Sequence, residues 1–345
     1  MHFASDNTGP AHPRILQAVM EASEGYAMPY GDDPWEARAK DMIRETFEAP
    51  EAEVFFVATG TAANSMVMGA LCPPWGTIFC HETAHVLIDE SHGPTFYAGG
   101  AAFAPVAGEN GKMTPAGLAA ALAKYAPGNI HTPARGPVTL TNVTEVGSVY
   151  TLAEIDALVA VSEGQPVHLD GARFANACAS LGCTAAEMTW KRGLHAVTFG
   201  GTKNGCMSVE AVIFFQAGHA EAFERQRMRG GHLFSKHRLL SAQMAAYLED
   251  NLWRDLGGRA NAACRHLREA LGAHVEVLHQ PAANMMFVTF PRALHRKLHA
   301  AGAEFYSFAD EHEGPDDEPI VARLVCDWSA TPENAERFAD LLKAG

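Results

Sequence analysis

The chain has 345 residues, long enough for one large α/β domain and a smaller second one. It is 48% hydrophobic and 19% charged, as a globular enzyme is, and its net charge of −14 argues against nucleic acid or an anionic membrane as a partner. No apolar run approaches the roughly 18 residues of a membrane span, and the seven cysteines contain no C-x-x-C pair that would point to a disulfide framework or a thiolate zinc site.

The opening Met1–Asn7 lacks the basic and apolar regions of a signal peptide, so a reducing cytoplasm is the expected location. Ser5 to Pro10 is polar and turn-rich, and a helix is expected from Pro13 to Ser23. Tyr30-Gly31-Asp32-Asp33-Pro34 is a second turn, leading into a helix that ends near Pro50. This early glycine and proline density reads as an arm wrapped on another element. Val54 to Ala58 reads as a buried strand that runs into Thr59-Gly60-Thr61-Ala62-Ala63-Asn64-Ser65, the start of a helix. Free amides and the helix dipole at such a start attract a phosphate, although a simple capped helix has the same pattern.

Strands and helices then alternate. Strands are expected at Thr77–Cys80, Val138–Thr141, Pro166–Leu169, His195–Phe199 and Ala211–Phe215. Helices are expected at Pro115–Lys124, Leu152–Ser162, Ala217–Arg229 and Ser235–Asp250. That order predicts a mostly parallel sheet covered on both faces. Beyond Asn251 the texture changes to a long basic helix, Arg254 to Leu271, then short strands and a last helix from Thr331. The expected division is therefore a large domain over 1–250 and a small α+β domain over 251–345.

Three short stretches carry chemistry. His81-Glu82-Thr83-Ala84-His85 has the H-E-x-x-H spacing of zinc hydrolases, which needs a helix of several turns. Here a strand leads in, Val86–Asp89 reads as extended, and Gly93-Pro94 follows. The better reading is a loop that presents His85 to a pocket, with no metal. Asp170 ends the apolar strand before Gly171-Ala172-Arg173, at the edge where open α/β sheets bind ligands. A carboxylate there suits a protonated ring nitrogen, and Arg173 could hold a phenolate or carboxylate; a capping Asp with a surface Arg is the plainer alternative. Phe199-Gly200-Gly201-Thr202-Lys203-Asn204-Gly205-Cys206 sets a lysine among glycines that allow positive φ and close approach. A lysine in a partly dry pocket loses basicity and can attack a carbonyl to form a Schiff base, whereas an exposed one is only a surface or phosphate-binding charge. Phosphate cradle, strand-end acid and glycine-flanked lysine together form the parts of one pyridoxal-phosphate site.

These stretches, together with Ser5-Asp6-Asn7, Asp89-Glu90, Thr144 to Tyr150 and Leu233 to Lys236, resemble the threonine aldolase group of the fold-type I pyridoxal-phosphate enzymes. The resemblance is narrower to bacterial low-specificity L-threonine aldolases and phenylserine aldolases. It implies a fold-type I α/β architecture and these roles: Lys203 holds pyridoxal 5'-phosphate, Asp170 pairs with its ring nitrogen, Gly60 and Thr61 bind its phosphate, and His85 stacks on its ring or acts as the base. Arg173, Ser5 and Arg323 are implied for the substrate carboxylate. Also implied is a homodimer or homotetramer with its site at a subunit interface, where a basic residue from Arg227 to Lys236 reaches the neighbour's phosphate. Many relatives carry a histidine before the glycine turn; Asn142-Val143-Thr144-Glu145 has none. The expected reaction is retro-aldol cleavage of an L-3-hydroxy-α-amino acid to glycine and an aldehyde, with another β-lyase or an aminotransferase on the same cofactor as the nearest rival. Phe3, Tyr30, Trp35 and Tyr97 are candidates to line an aryl pocket.

Overall fold

The computed structural model describes residues 1–344; Gly345, the last residue of the expected second unit, lies outside them. Seven strands form the main sheet: β1 (Glu53–Val57), β2 (Gly76–His81), β3 (Ala102–Val106), β4 (Ala134–Thr141), β5 (Val167–Gly171), β6 (Ala196–Gly200) and β7 (Glu210–Phe214). Their order is β1-β7-β6-β5-β4-β2-β3, with only β7 antiparallel to its neighbours. Every residue of β2, β5, β6 and β7 is buried, which is why these strands read as continuous apolar runs rather than alternating ones. β3 was not among the expected strands.

A second sheet is antiparallel, in the order β10 (Tyr306–Ser307), β11 (Pro319–Val325), β9 (Met285–Pro291), β8 (Glu276–Val277). The Leu252–Leu271 helix links the two cores. Leu252, Trp253 and Leu256 pack into the large one, and Cys264, Leu267 and Leu271 into the small one. Just before it the chain turns sharply, with Asp250 and Asn251 at φ 52° and 56°. The N-terminal arm lies on the small sheet: Val325 donates its N–H to the Phe3 carbonyl, and the Phe3 ring stands 5.3 Å from that of Phe338. Among the described residues no helix is long and apolar enough to cross a membrane.

Two local expectations are corrected. Val86–Asp89 is not extended; His85–Ile88 is a single helical turn. β2 ends at His81, so the chain beyond has no strand to pair with and closes its own bonds, Ile88 N–H to Ala84 O and Asp89 N–H to His85 O. The glycines before the lysine also act differently from expected. Neither Gly200 nor Gly201 is left-handed; only Gly205 is, at φ 98°. They are needed for close approach: a Cβ on Gly200 would stand 2.6 Å from the Ala172 carbonyl oxygen, and one on Gly201 2.8 Å from that of Val209. Both contacts are to backbone, so Gly200→Ala should cost about 1–3 kcal/mol of stability. Urea unfolding would show this as a lower midpoint at unchanged m; an unmoved midpoint would mean that the β5 end yields freely.

Candidate active site

β1, β2, β4, β5 and β6 point the same way, and the residues just beyond their ends surround one cavity of about 280 Å³. Its anion end is the start of the Gly60–Leu71 helix. Thr59 caps that helix, its hydroxyl accepting from Ala62 N–H and its carbonyl from Ala63 N–H. The amides of Gly60 and Thr61 are left to a ligand. A Cβ built on Gly60 meets no atom within 4 Å, so the space above this helix end is open.

The lysine loop is fixed from both sides. Phe199 packs among Phe47, Phe174 and Tyr247, with ring centroids 5.4–5.6 Å apart. The buried Tyr247 hydroxyl donates to Gly200 O, and Asn204 donates to both the Tyr247 hydroxyl (2.6 Å) and Trp253 O (2.8 Å). Gly201 N–H bonds Val209 O and the Glu210 carboxylate, and Val209 N–H bonds the Thr202 hydroxyl. Lys203 itself lines the cavity, and among the described residues its amine has no hydrogen-bond partner. Burial pushes its pKa down and the Arg173 charge adds to this, against the pull of Asp6, Asp170 and Glu210. An amine in that setting can act as a nucleophile.

Asp170 lines the same cavity and its charge reaches Lys203. One oxygen accepts Ala172 N–H at 3.0 Å and the other accepts the Asn64 side chain at 2.9 Å. The same Asn64 nitrogen donates to Glu90, and Glu90 takes up Nδ1 of His85 at 2.9 Å. The hydrogen bond to Glu90 is the main reason His85 sits above its usual pKa, while burial raises Glu90. Behind this row lies a buried relay: Thr198 donates to Asn64 Oδ1, and His168 joins Thr198 to Thr139. Burial lowers the His168 pKa to about 4, so it is a neutral connector.

Of the expected site residues, Lys203, Asp170, His85, Gly60, Thr61 and Arg173 line this one cavity. Ser5 and Arg323 do not. Ser5 caps the following turn, accepting Asn7 N–H, and Arg323 donates to Ala4 O and lies over the Tyr306 ring. Arg173 holds Asp6 with two bonds, Nε at 2.6 Å and Nη2 at 3.0 Å. Burial alone would raise Asp6; Arg173 and Lys203 outweigh it and hold Asp6 below its usual value. None of the aryl-pocket candidates reaches the cavity. Phe3, Trp35 and Tyr97 pack in or against the cores, where a large ring buries most area, and Tyr30 is exposed. The two histidines of H-E-x-x-H have separate partners. His81 bonds Thr83 and Gly108 O, and His85 bonds Glu90.

A family profile described as beta-eliminating lyase matches residues 2–292. A low specificity L-threonine aldolase from Pseudomonas aeruginosa is 39% identical over 98% of this chain and 95% of its own length. The chain belongs to the beta-eliminating lyase family. A second relative of the same name, from another Pseudomonas strain, is 39% identical over 99% of this chain and 97% of its own length. In three dimensions this family member is similar to a threonine aldolase of Leishmania major, with TM-score 0.90 at 26% identity over 99% of this chain and 98% of that one. A structure of SPT with PLP shares the fold, with TM-score 0.70 at 16% identity over 100% of this chain and 86% of that one.

Sequence reasoning missed Glu210 in this lyase-family site. The strand is expected from Ala211, yet an acid directly before a fully apolar strand, seven residues past a glycine-loop lysine, is a usable signal. Burial raises the Glu210 pKa to about 7 against an ordinary value near 4.5. The folded state then keeps this proton across a window in which the unfolded chain has lost it. Its contribution to stability therefore falls as pH rises from about 4.5 to 7 and levels off above, by on the order of 3 kcal/mol. Denaturation of cofactor-free protein across that range should show the wild type losing stability relative to Glu210→Gln; parallel curves would refute a protonated Glu210.

Proposed function

We propose that this member of the beta-eliminating lyase family is a pyridoxal-phosphate-dependent aldolase. Its substrates are L-3-hydroxy-α-amino acids of the threonine, allo-threonine and phenylserine type, cleaved to glycine and an aldehyde. The observation that carries the reading is an unpartnered, pKa-lowered lysine amine in one cavity with a strand-end carboxylate and two free helix-start amides. The residues fit that cofactor. Gly60 and Thr61 would take the phosphate, in the space that a Cβ on Gly60 would fill. Lys203 would hold the aldehyde carbon, and Asp170 would keep the ring nitrogen protonated. When bound, the cofactor supplies a cationic ring into which the electron pair of a broken Cα–Cβ bond can pass.

The chain's own groups do the rest. His85 takes the β-hydroxyl proton. Arg323 has a buried Nε without a partner and so has a donor to give to the substrate carboxylate. Arg173 contributes the nitrogen not committed to Asp6. Fixing the carboxylate would orient the Cα–Cβ bond for cleavage, and positioning of this kind can contribute about 7–11 kcal/mol. We extend the proposal to a cytoplasmic enzyme of amino-acid metabolism with large and small domains divided near residue 250. We also extend it to a homodimer or homotetramer with the site at a subunit interface. The exposed Met20, Tyr26, Met28 and Tyr30 are apolar surface that a second copy would cover.

Lys203→Ala should lose both the visible absorbance of the bound cofactor and all turnover. Glycine and aldehyde without keto-acid, measured on L-threonine, L-allo-threonine and L-phenylserine, is the expected product pattern; keto-acid would instead indicate a transaminase. Arg323→Ala should raise KM about 10–100-fold, the loss of one charge-assisted bond. An unchanged KM would remove Arg323 from the carboxylate site.

A further inference from the structure

Asn64 fixes the orientation of three neighbours. Its nitrogen contacts two carboxylate oxygens, Glu90 Oε1 and Asp170 Oδ2, both at 2.9 Å, while its oxygen accepts the Thr198 hydroxyl at 3.0 Å. Only the NH2 end can face two acids, so the amide cannot be flipped. Glu90 Oε1 is therefore an acceptor toward Asn64. It is also the atom 2.9 Å from His85 Nδ1; as a carboxylate Glu90 can only accept there, so the proton in that contact comes from the imidazole. Neutral His85 then carries its hydrogen on Nδ1 and leaves a lone pair on Nε2. Among the described residues Nε2 has no protein partner. The His85 side chain is 39% exposed, whereas that of Glu90 is fully buried.

Charged groups reach His85 from several elements. Glu90 comes from its own loop, Asp170 from β5, Lys203 from the β6–β7 loop, and Glu145 from the segment after β4, which accepts His85 N–H at 2.9 Å. Glu90 acts most strongly; Asp170 pulls the same way and Lys203 opposes.

We infer that Glu90 is a positioning residue for the reaction: it locks His85 as the Nδ1–H tautomer, aims Nε2 at the substrate as the proton acceptor, and through Asn64 joins that base rigidly to Asp170. The inference rests on the aldolase reading for its substrate. The proton leaves the β-oxygen for Nε2, and the O–H pair becomes the aldehyde C=O bond. The Cα–Cβ pair stays with Cα, which takes up one proton to give glycine. The imidazolium formed on the way lies against a buried carboxylate, as in other histidine–acid pairs.

The test is ring-¹⁵N histidine NMR of the holoenzyme, with His85→Asn used to assign the signal. The expected wild-type spectrum shows neutral His85 protonated at Nδ1 and bare at Nε2. In Glu90→Gln the His85 titration should fall by about 1 pH unit or more. The acid limb of kcat/KM should move with it, while kcat drops about 10-fold or more and KM changes little. A merely structural role would lower activity without moving that limb. Wild-type His85 protonated at Nε2 would overturn the inference, as would a Glu90→Gln enzyme with both the titration and the limb unmoved. The wild-type tautomer decides the matter even if the variant does not fold. If the NMR is as expected but no 3-hydroxy-amino acid yields glycine, the aldolase reading fails and the Glu90–His85 assignment stands.

Discussion

Four acidic side chains, Glu90, Glu145, Asp170 and Glu210, line one small cavity together with two basic ones, Lys203 and Arg173. In a medium of low dielectric such crowding is costly unless each acid has its own donors. The fold supplies them from neutral groups. Asn64 serves Glu90 and Asp170 together, His85 N–H serves Glu145, Gly201 N–H serves Glu210, and Ala172 N–H serves Asp170. Arg173 is held by Asp6. Each acid has at least one donor other than Lys203, although Glu90 Oε2 and Glu145 Oε2 stay without a partner, and among the described residues none pairs directly with Lys203. That leaves the amine free, and burial with the nearby guanidinium can hold down its proton affinity. The unpartnered state of the Lys203 amine thus goes with the neighbouring acids taking their donors from other groups.

The parts legible in the sequence are those that a local pattern encodes. An apolar run followed at once by a polar turn marks a strand end, and in a parallel sheet strand ends share one edge. Gly60-Thr61, Asp170 and Lys203 each follow such a run, so their convergence could be anticipated without knowing the strand order. The Asn64–Glu90–His85 row could not. It joins the Gly60–Leu71 helix to the loop after β2, and β1 and β2 lie at opposite sides of the sheet order, with four strands between them. Asp6 and Arg173 are 167 residues apart, and nothing in either local sequence names the other. The aromatic residues misled for a related reason. Size and apolarity announce burial, but not whether the surface covered is core or pocket.

The N-terminal arm resolves a difficulty with the arginines. Arg173 looks from its motif like a ready anion site, yet its two best-placed nitrogens grip a buried aspartate that Asn284 also supports at 3.0 Å. Releasing Asp6 to admit a substrate carboxylate would strand a buried charge, which costs more than the new contact returns. The Asp6–Arg173 pair is better understood as a rigid post. It joins the arm, the loop after β5 and, through Asn284, the small sheet, whose inner strand β11 brings Arg323 to the Ala4 carbonyl. Arg173 thus keeps this corner in shape with two of its nitrogens, while Arg323 bonds the arm through Nη2 and has a buried Nε without a protein partner among the described residues. The same arm continues to His12, whose N–H bonds Gly205 O at the end of the lysine loop. A single stretch of a dozen residues thus ties Arg173 and Arg323 to the loop that carries Lys203.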